Sequence, residues 1–324
     1  MSLLRAASDI AESVLFPCSL EVDGAARVPE GHLRLLAEAG LYGIETAGLA
    51  PADRWLIAEI LASGCLATAF VWIQHHGAVR GLLASENHEM CDRWLEPLTS
   101  GARRAGIAIG GVRAPVPSLR ASPATGGWRL DGTVPWVTGW GLIDVMLTGA
   151  VVDDREEVWA LIPAQPGVGV EANRYRLVAA DASSTVALTF TGVFVPDELV
   201  VGVVPHTPPP ANDGGGRNNG SFALGIARRA CLLMGPSPID AQLDAMRTQL
   251  DVATDDEMAT ARAGACELAF RATARLVVHA GSRSLGVDHH AQMLARQAQF
   301  AAVFGTRPAI REGLMKRLSQ AGSW

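Results

Sequence analysis

The chain has 324 residues, 49% of them apolar and only 19% charged, which excludes a disordered protein and allows a sizeable buried core. A net charge of −6 with a single lysine, Lys316, gives no basic footprint for nucleic acid. No apolar run reaches the roughly 18 residues of a membrane span, and the amphipathic start MSLLRAASDIAESVLFPCSL does not read as a signal peptide. A cytoplasmic protein without a membrane or nucleic-acid partner is therefore expected. Cys18, Cys65, Cys91, Cys231 and Cys266 are odd in number and never form a Cys-x-x-Cys pair, so neither disulfides nor a metal site is expected.

Residues 1–103 read as a helical domain. HLRLLAEAGLYGI repeats its apolar positions at helical spacing, and DRWLIAEILASGCLATAFVWIQHHGAVRGLLA is apolar nearly all round, as in a helix buried on several sides. The period then changes to two. Residues 104–204, with WRLDGTVPWV, DVMLTGAVV, VWALIPA and STVALTFTGVFVP, predict a central domain of antiparallel strands. Residues 205–220, PHTPPPANDGGGRNNG, are Pro, Gly and Asn rich and predict a linker. Residues 221–324 return to helices with conventional starts at PSPIDAQL and ATDDEM, so a C-terminal helical bundle is expected. The order is helices, strands, helices, an α+β chain without βαβ alternation.

Two segments of the β domain resemble acyl-CoA dehydrogenase signatures. GWRLDGTVPWVTGWGLIDVML carries Trp136-Val137-Thr138-Gly139-Trp140-Gly141, similar to the family's Trp-Ile-Thr/Ser-Asn/Gly-Gly. SSTVALTFTGVFVPDELVVG matches the second signature at Ser183, Thr185, Leu188, Phe190, Val193, Val195, Pro196 and Gly202. The resemblance implies an N-terminal helical domain, a barrel-like β domain and a four-helix bundle. It also implies FAD between the last two, and dimers or tetramers whose cofactor sites are shared between neighbours. The implied reaction removes a proton beside an acyl thioester while the flavin takes a hydride from the next carbon, and a carboxylate base is essential to it. By the same resemblance Trp136, Val137 and Thr138 lie against the isoalloxazine, with the Thr138 hydroxyl near its reactive nitrogen.

AAVFGTRPAIR interrupts the last helical pattern and resembles the family's Tyr-Glu-Gly-Thr-x-x-Ile-Gln corner. Gly305 and Thr306 are kept, and Phe304 stands where many members carry the catalytic glutamate. Some relatives place that glutamate before the first bundle helix. Here that region is GGGRNNGSF, with no acid nearer than Asp213. The flavin-lining Met-Thr-Glu-Pro-x-x-Gly-Ser-Asp is reduced to AIGGVRAPVPSLRA, with Gly110 and Gly111 in place of Thr and Glu. The Arg-x-x-Phe-Gly motif for the pyrophosphate is missing at GPSPIDAQLDAMRTQL, and Gln-x-x-Gly-Gly is reduced to VVHAG, keeping Gly281.

Three readings fit these residues. The first is an oxidoreductase subunit, acting on an acyl-CoA, whose related partner supplies the glutamate base and most of the FAD site while this chain completes the assembly. A flavin-dependent monooxygenase of the same fold is the second, with His75 or His76 over the flavin. The third is a non-catalytic interaction protein whose pocket is filled by Phe304 and Trp136. Arg283, Arg296, Arg307 and Arg311 flank the corner and either meet phosphates or cover solvated and intersubunit faces. His289-His290 follow Asp288, which is expected to cap a helix, and FALGIARRACLLM offers an apolar stripe for an oligomer interface.

Overall fold

The computed structural model describes residues 2–113, 116–153, 155–207 and 216–320. The helical first part comprises α1 (Leu3–Ile10), α2 (Ser19–Gly24), α3 (Glu30–Glu38), α4 (Pro51–Gly64), α5 (Leu66–Leu83) and α6 (His88–Thr99). Pro51 opens α4 at a position where a missing N–H costs nothing, and the Asn87 side chain caps α6 by accepting the Met90 N–H at 3.2 Å. The long apolar stretch is divided at Cys65, which is extended between α4 and α5. Gly64, the last residue of α4, lies against Leu15 and Ala11, where a Cβ would stand 2.9 Å from that of Leu15.

The β domain holds β1 (Ala105–Ala108), β2 (Leu119–Ala124), β3 (Gly127–Val137), β4 (Val145–Val152), β5 (Glu156–Pro163), β6 (Val170–Arg174), β7 (Val186–Pro196) and β8 (Val200–Pro205). They form one sheet in the order β6-β7-β3-β2-β4-β5-β8, with β1 beside β4. Most ladders are antiparallel, as the alternation predicts. β1, however, runs parallel to β4 from Ala105↔Val145 to Ala108↔Thr148, and β2 meets β4 in parallel at Arg120↔Val151. Periodicity identifies a strand but not its partner, so this pairing was not legible in the sequence.

All eight residues of β4 are buried, which explains its nearly continuous apolar run. Met146, Ala150 and Val152 face the interior of the β domain, while Val145 and Leu147 pack with Ala78, Val79 and Leu82 of α5. The sheet is thus clamped onto the N-terminal helices.

The C-terminal part contains α7 (Asn218–Met234), α8 (Pro238–Val252), α9 (Asp255–Ala280), α10 (His290–Val303) and α11 (Pro308–Ser319). These are five helices among the described residues, where the resemblance implied four. Ser237 with Asp240, and Thr254 with Glu257, form reciprocal capping boxes that start α8 and α9. Of the expected linker, residues 208–215, Asp213 included, lie outside the described residues. α7 begins within the linker's Asn-rich end because Arg217 anchors that turn, bonding Asp251 at 2.8 Å and Ser221 at 3.0 Å. α7 lies directly on α4 at Gly225, where a Cβ would meet the Glu59 carbonyl at 2.6 Å. No helix among the described residues is long and apolar enough to cross a membrane.

Candidate functional site: an aromatic corner, an exposed tryptophan and a cationic groove

The corner between α10 and α11 is built by short-range chemistry. Phe304 closes α10 with its N–H on the Phe300 carbonyl at 2.8 Å, and Gly305 then takes a left-handed φ of +55°. Thr306 returns its hydroxyl to the Val303 carbonyl at 3.0 Å, and Pro308 starts α11. The turn sets the Phe304 ring against Phe70 of α5, Phe222 of α7 and Phe300 of α10, with centroids 4.7, 5.6 and 5.4 Å away. Phe70 and Phe222 are buried, whereas Phe300 and Phe304 are half-buried, so the cluster is an apolar wall with an accessible rim.

Arg262 of α9 is buried beneath the corner and donates to the Gly305 carbonyl at 3.1 Å and the Phe304 carbonyl at 3.3 Å. These are carbonyls at a helix end, which need outside donors. Replacing Arg262 by methionine is expected to cost about 2–3 kcal/mol, because bonds from a charged donor are lost and carbonyls are left dry. Urea unfolding measures this, and a loss below about 0.5 kcal/mol would show that the corner holds without the guanidinium.

Trp136 is aimed by the backbone. Val134 pairs with Leu188 and Val137 with Val186, so β3 takes three steps against two on β7 and carries a bulge. Within it Trp136 adopts a left-handed φ of +62° and stands 61% exposed. Tyr175 stacks on its indole at 4.2 Å between centroids with the planes 18° apart. Trp136 therefore does not fill a pocket together with Phe304. Gly110 and Gly111 lie where chains close up, a Cβ on Gly110 standing 2.6 Å from the Pro135 carbonyl oxygen and one on Gly111 2.8 Å from the Leu119 Cβ. The crowding explains why glycines occupy positions where the resemblance has Thr and Glu.

Val137 is buried in the β domain, and so is Thr138. The Thr138 hydroxyl lies 3.2 Å from that of Thr185, itself 2.9 Å from the Ser183 hydroxyl. The side chain expected at a flavin nitrogen thus turns toward the protein's own hydroxyl chain.

A groove of about 730 Å³ runs between the end of α7, the start of α8 and the second half of α9. Met234, Pro238 and Ile239 form its apolar side, and Arg271, Arg275 and His279 follow one another at four-residue spacing along α9. Arg271 is steadied by Glu267 at 3.2 Å and Gln242 at 2.7 Å. The groove joins GPSP, at the segment where the pyrophosphate motif reads as missing, to VVHAG, the reduced Gln-x-x-Gly-Gly. It offers side-chain cations where the sequence motif offered none.

His75 and His76 are buried inside the N-terminal part. His75 Nδ1 accepts the Ala105 N–H at 3.0 Å, tying α5 to β1, and the ring meets Tyr42 edge-on at 4.7 Å. Burial pushes His75 down to about 3, and burial, seconded by His75 itself, holds His76 well below its ordinary value. Neither is placed to serve as an open proton donor. Burial also pushes the Cys266 thiol up to about 11 and Cys231 to about 12, so these are unreactive. Arg296 binds Asp23 at 2.5 Å and the Val178 carbonyl at 2.6 Å, joining the bundle to the first part, while Arg283 and Arg311 are exposed. His289, not Asp288, caps α10, its Nδ1 accepting the Ala291 N–H at 3.1 Å. An imidazole with a free lone pair serves as a cap as a carboxylate does. No group of three His, Cys, Asp or Glu among the described residues could hold a metal.

Sequence reasoning missed Phe70, Phe222, Arg262, Tyr175, Arg271 and Arg275. They come from α5, α7, α9 and a loop, and no single window of sequence joins them.

Residues 2–102 match the family described as acyl-CoA dehydrogenase, N-terminal domain. The pig mitochondrial short-chain specific acyl-CoA dehydrogenase is 25% identical over 215 residues, 62% of this chain and only about half, 52%, of that protein's length. Butyryl-CoA dehydrogenase from Megasphaera elsdenii superposes with a TM-score of 0.82 at 18% identity, covering 98% of this chain and 97% of its own. Dibenzothiophene monooxygenase from Paenibacillus sp. A11-2 gives 0.75 at 17% identity, with the same 98% and 97% coverage. Residues 2–102 thus resemble the acyl-CoA dehydrogenase N-terminal domain, and the chain as a whole has the fold of butyryl-CoA dehydrogenase.

Proposed function

We propose that this chain is a subunit of an acyl-CoA dehydrogenase-like flavin oxidoreductase, working with a related subunit that supplies the catalytic carboxylate. The observation that carries this reading is Phe304: its corner is intact, but the side chain presented there has no atom that accepts a proton. The groove supports the cofactor half of the reading. Arg271, Arg275 and His279 fit an anionic pyrophosphate, the neighbouring apolar side fits an adenine, and the exposed Trp136 fits a flat ring. FAD, when bound, supplies the hydride acceptor. The chain's own residues then bind and orient: the phenylalanine wall excludes water from an acyl chain, and the bulge fixes the indole. The partner supplies the general base, a function worth roughly 10²- to 10⁴-fold in rate.

The oxygenation reading, supported by the likeness to a monooxygenase, requires His75 or His76 at the flavin. Their burial among Tyr42, Trp72 and β1 speaks against it.

The test is acyl-CoA oxidation followed with an artificial electron acceptor in the presence of FAD. The wild-type chain alone is expected to be inactive, the chain with a full-length relative active, and Phe304→Glu alone to gain at least roughly 10²-fold over wild type alone. Turnover by the wild-type chain alone at the rate of Phe304→Glu would show that another group on this chain is the base.

A further inference from the structure

An exposed indole on a polypeptide surface ordinarily samples several rotamers, and each one lost on binding weakens a stacked ligand. Trp136 is constrained on two sides. The β-bulge and the left-handed φ of +62° fix where its Cβ points, and Tyr175 covers one ring face at 4.2 Å. Tyr175 is itself fixed. Its N–H donates to the Thr185 carbonyl at 3.0 Å, and the neighbouring Arg174 donates to the Ala26 carbonyl at 2.8 Å and to Asp181. Asp181 in turn accepts the Leu177 N–H at 2.8 Å, closing the loop that carries the tyrosine. A side chain held so firmly, yet 61% exposed, buries too little of its own surface to be explained by packing.

We infer that Tyr175 is a positioning residue: it holds the Trp136 indole so that the uncovered face and edge receive a planar heteroaromatic ring, making a three-layer stack. This rests on the flavin reading above for the identity of that ring. Stacked pairs gain beyond their buried area, and an indole already oriented loses no rotamer freedom when the third ring arrives. Phenylalanine at 175 keeps the stack, whereas alanine removes it.

The experiment uses the full chain labelled with 5-fluorotryptophan and followed by fluorine NMR, with FAD as the probe and the Trp136 resonance assigned by its loss in Trp136→Phe. Without ligand, Tyr175→Ala is expected to move that resonance and Tyr175→Phe to leave it nearly in place. FAD is expected to shift the Trp136 resonance of the wild type. It should bind Tyr175→Phe equally well and Tyr175→Ala at least roughly five-fold more weakly, at an unchanged thermal midpoint. Equal affinity for Tyr175→Ala and wild type overturns the positioning role alone. Binding that leaves the Trp136 resonance unmoved places the flavin elsewhere and overturns the inference. No FAD binding to the wild type, either at excess FAD on the chain alone or with the related subunit present, overturns the flavin reading and the stack with it. A fall in affinity matched by a fall in thermal midpoint assigns Tyr175 to folding only.

Discussion

Replacing Glu59 by alanine is expected to destabilise the protein by about 3–5 kcal/mol, the range for breaking a buried ion pair by removing one partner. Glu59 is fully buried on α4, where Arg247 of α8 grips it with two bonds of 2.8 and 2.7 Å and Arg228 of α7 stands 3.7 Å away. The carboxylate therefore holds three helices from two parts of the molecule. Alanine would leave the partly buried Arg228 and Arg247 guanidinium groups without the Glu59 carboxylate, with Arg247 keeping its 2.7 Å bond to Asp244. Urea unfolding reads the loss directly. The double replacement Glu59→Leu with Arg247→Leu should recover much of it, since an apolar pair of similar volume commonly matches a buried ion pair. A loss below about 1 kcal/mol in Glu59→Ala would mean that water reaches the site.

Acid should unfold the protein through the paired histidines. The His75 imidazole is pushed down to about 3 by burial, against an ordinary 6.5 in the unfolded chain. The unfolded state therefore binds more protons between those values. The stability contributed by neutral His75 is fully present above about pH 6.5 and is lost as pH falls toward 3. At pH 4.5, two units below the unfolded value, His75 alone removes about 2.7 kcal/mol, and His76 acts in the same direction. Both ring nitrogens of His76 and the Nε2 of His75 are buried without hydrogen-bond partners, as is the Tyr42 hydroxyl. His76→Leu is accordingly expected to stabilise the protein at pH 7 by about 1–3 kcal/mol and to flatten the acid side of the profile. Unfolding free energies at pH 7, 5.5 and 4.5 for both proteins decide this. Parallel profiles would locate the acid sensitivity in the carboxylate pairs instead.

The course from helices to strands to helices was legible because hydrophobic period changes abruptly near residues 104 and 202 and Gly-Pro breaks mark the bundle helices. The corner at Phe304 to Pro308 was legible for the same local reason: a glycine and a proline close together leave a helix few options. What escaped was long-range. The parallel pairing of β1 with β4 and the burial of Glu59 depend on segments far apart in the chain. The aromatic wall draws Phe70, Phe222, Phe300 and Phe304 from three helices and the corner, so no window of sequence contains it. Asp288 looked like the cap of α10, but the chain enters one residue later and the imidazole of His289 takes the role. The groove illustrates the limit of motif reading. Its two arginines, Arg271 and Arg275, lie along α9 ahead of VVHAG rather than in the segments where a motif search looks, and only folding brings them beside GPSP.

The central claim, a flavin site that this chain shares with a related subunit, is tested most directly by the visible absorbance spectrum after gel filtration. The chain is to be purified alone and after co-expression with a full-length relative. Colourless protein alone, and yellow protein with about one flavin retained per copy of this chain when the partner is present, is the expected result. A single chain that keeps a full complement of flavin without any partner would contradict it.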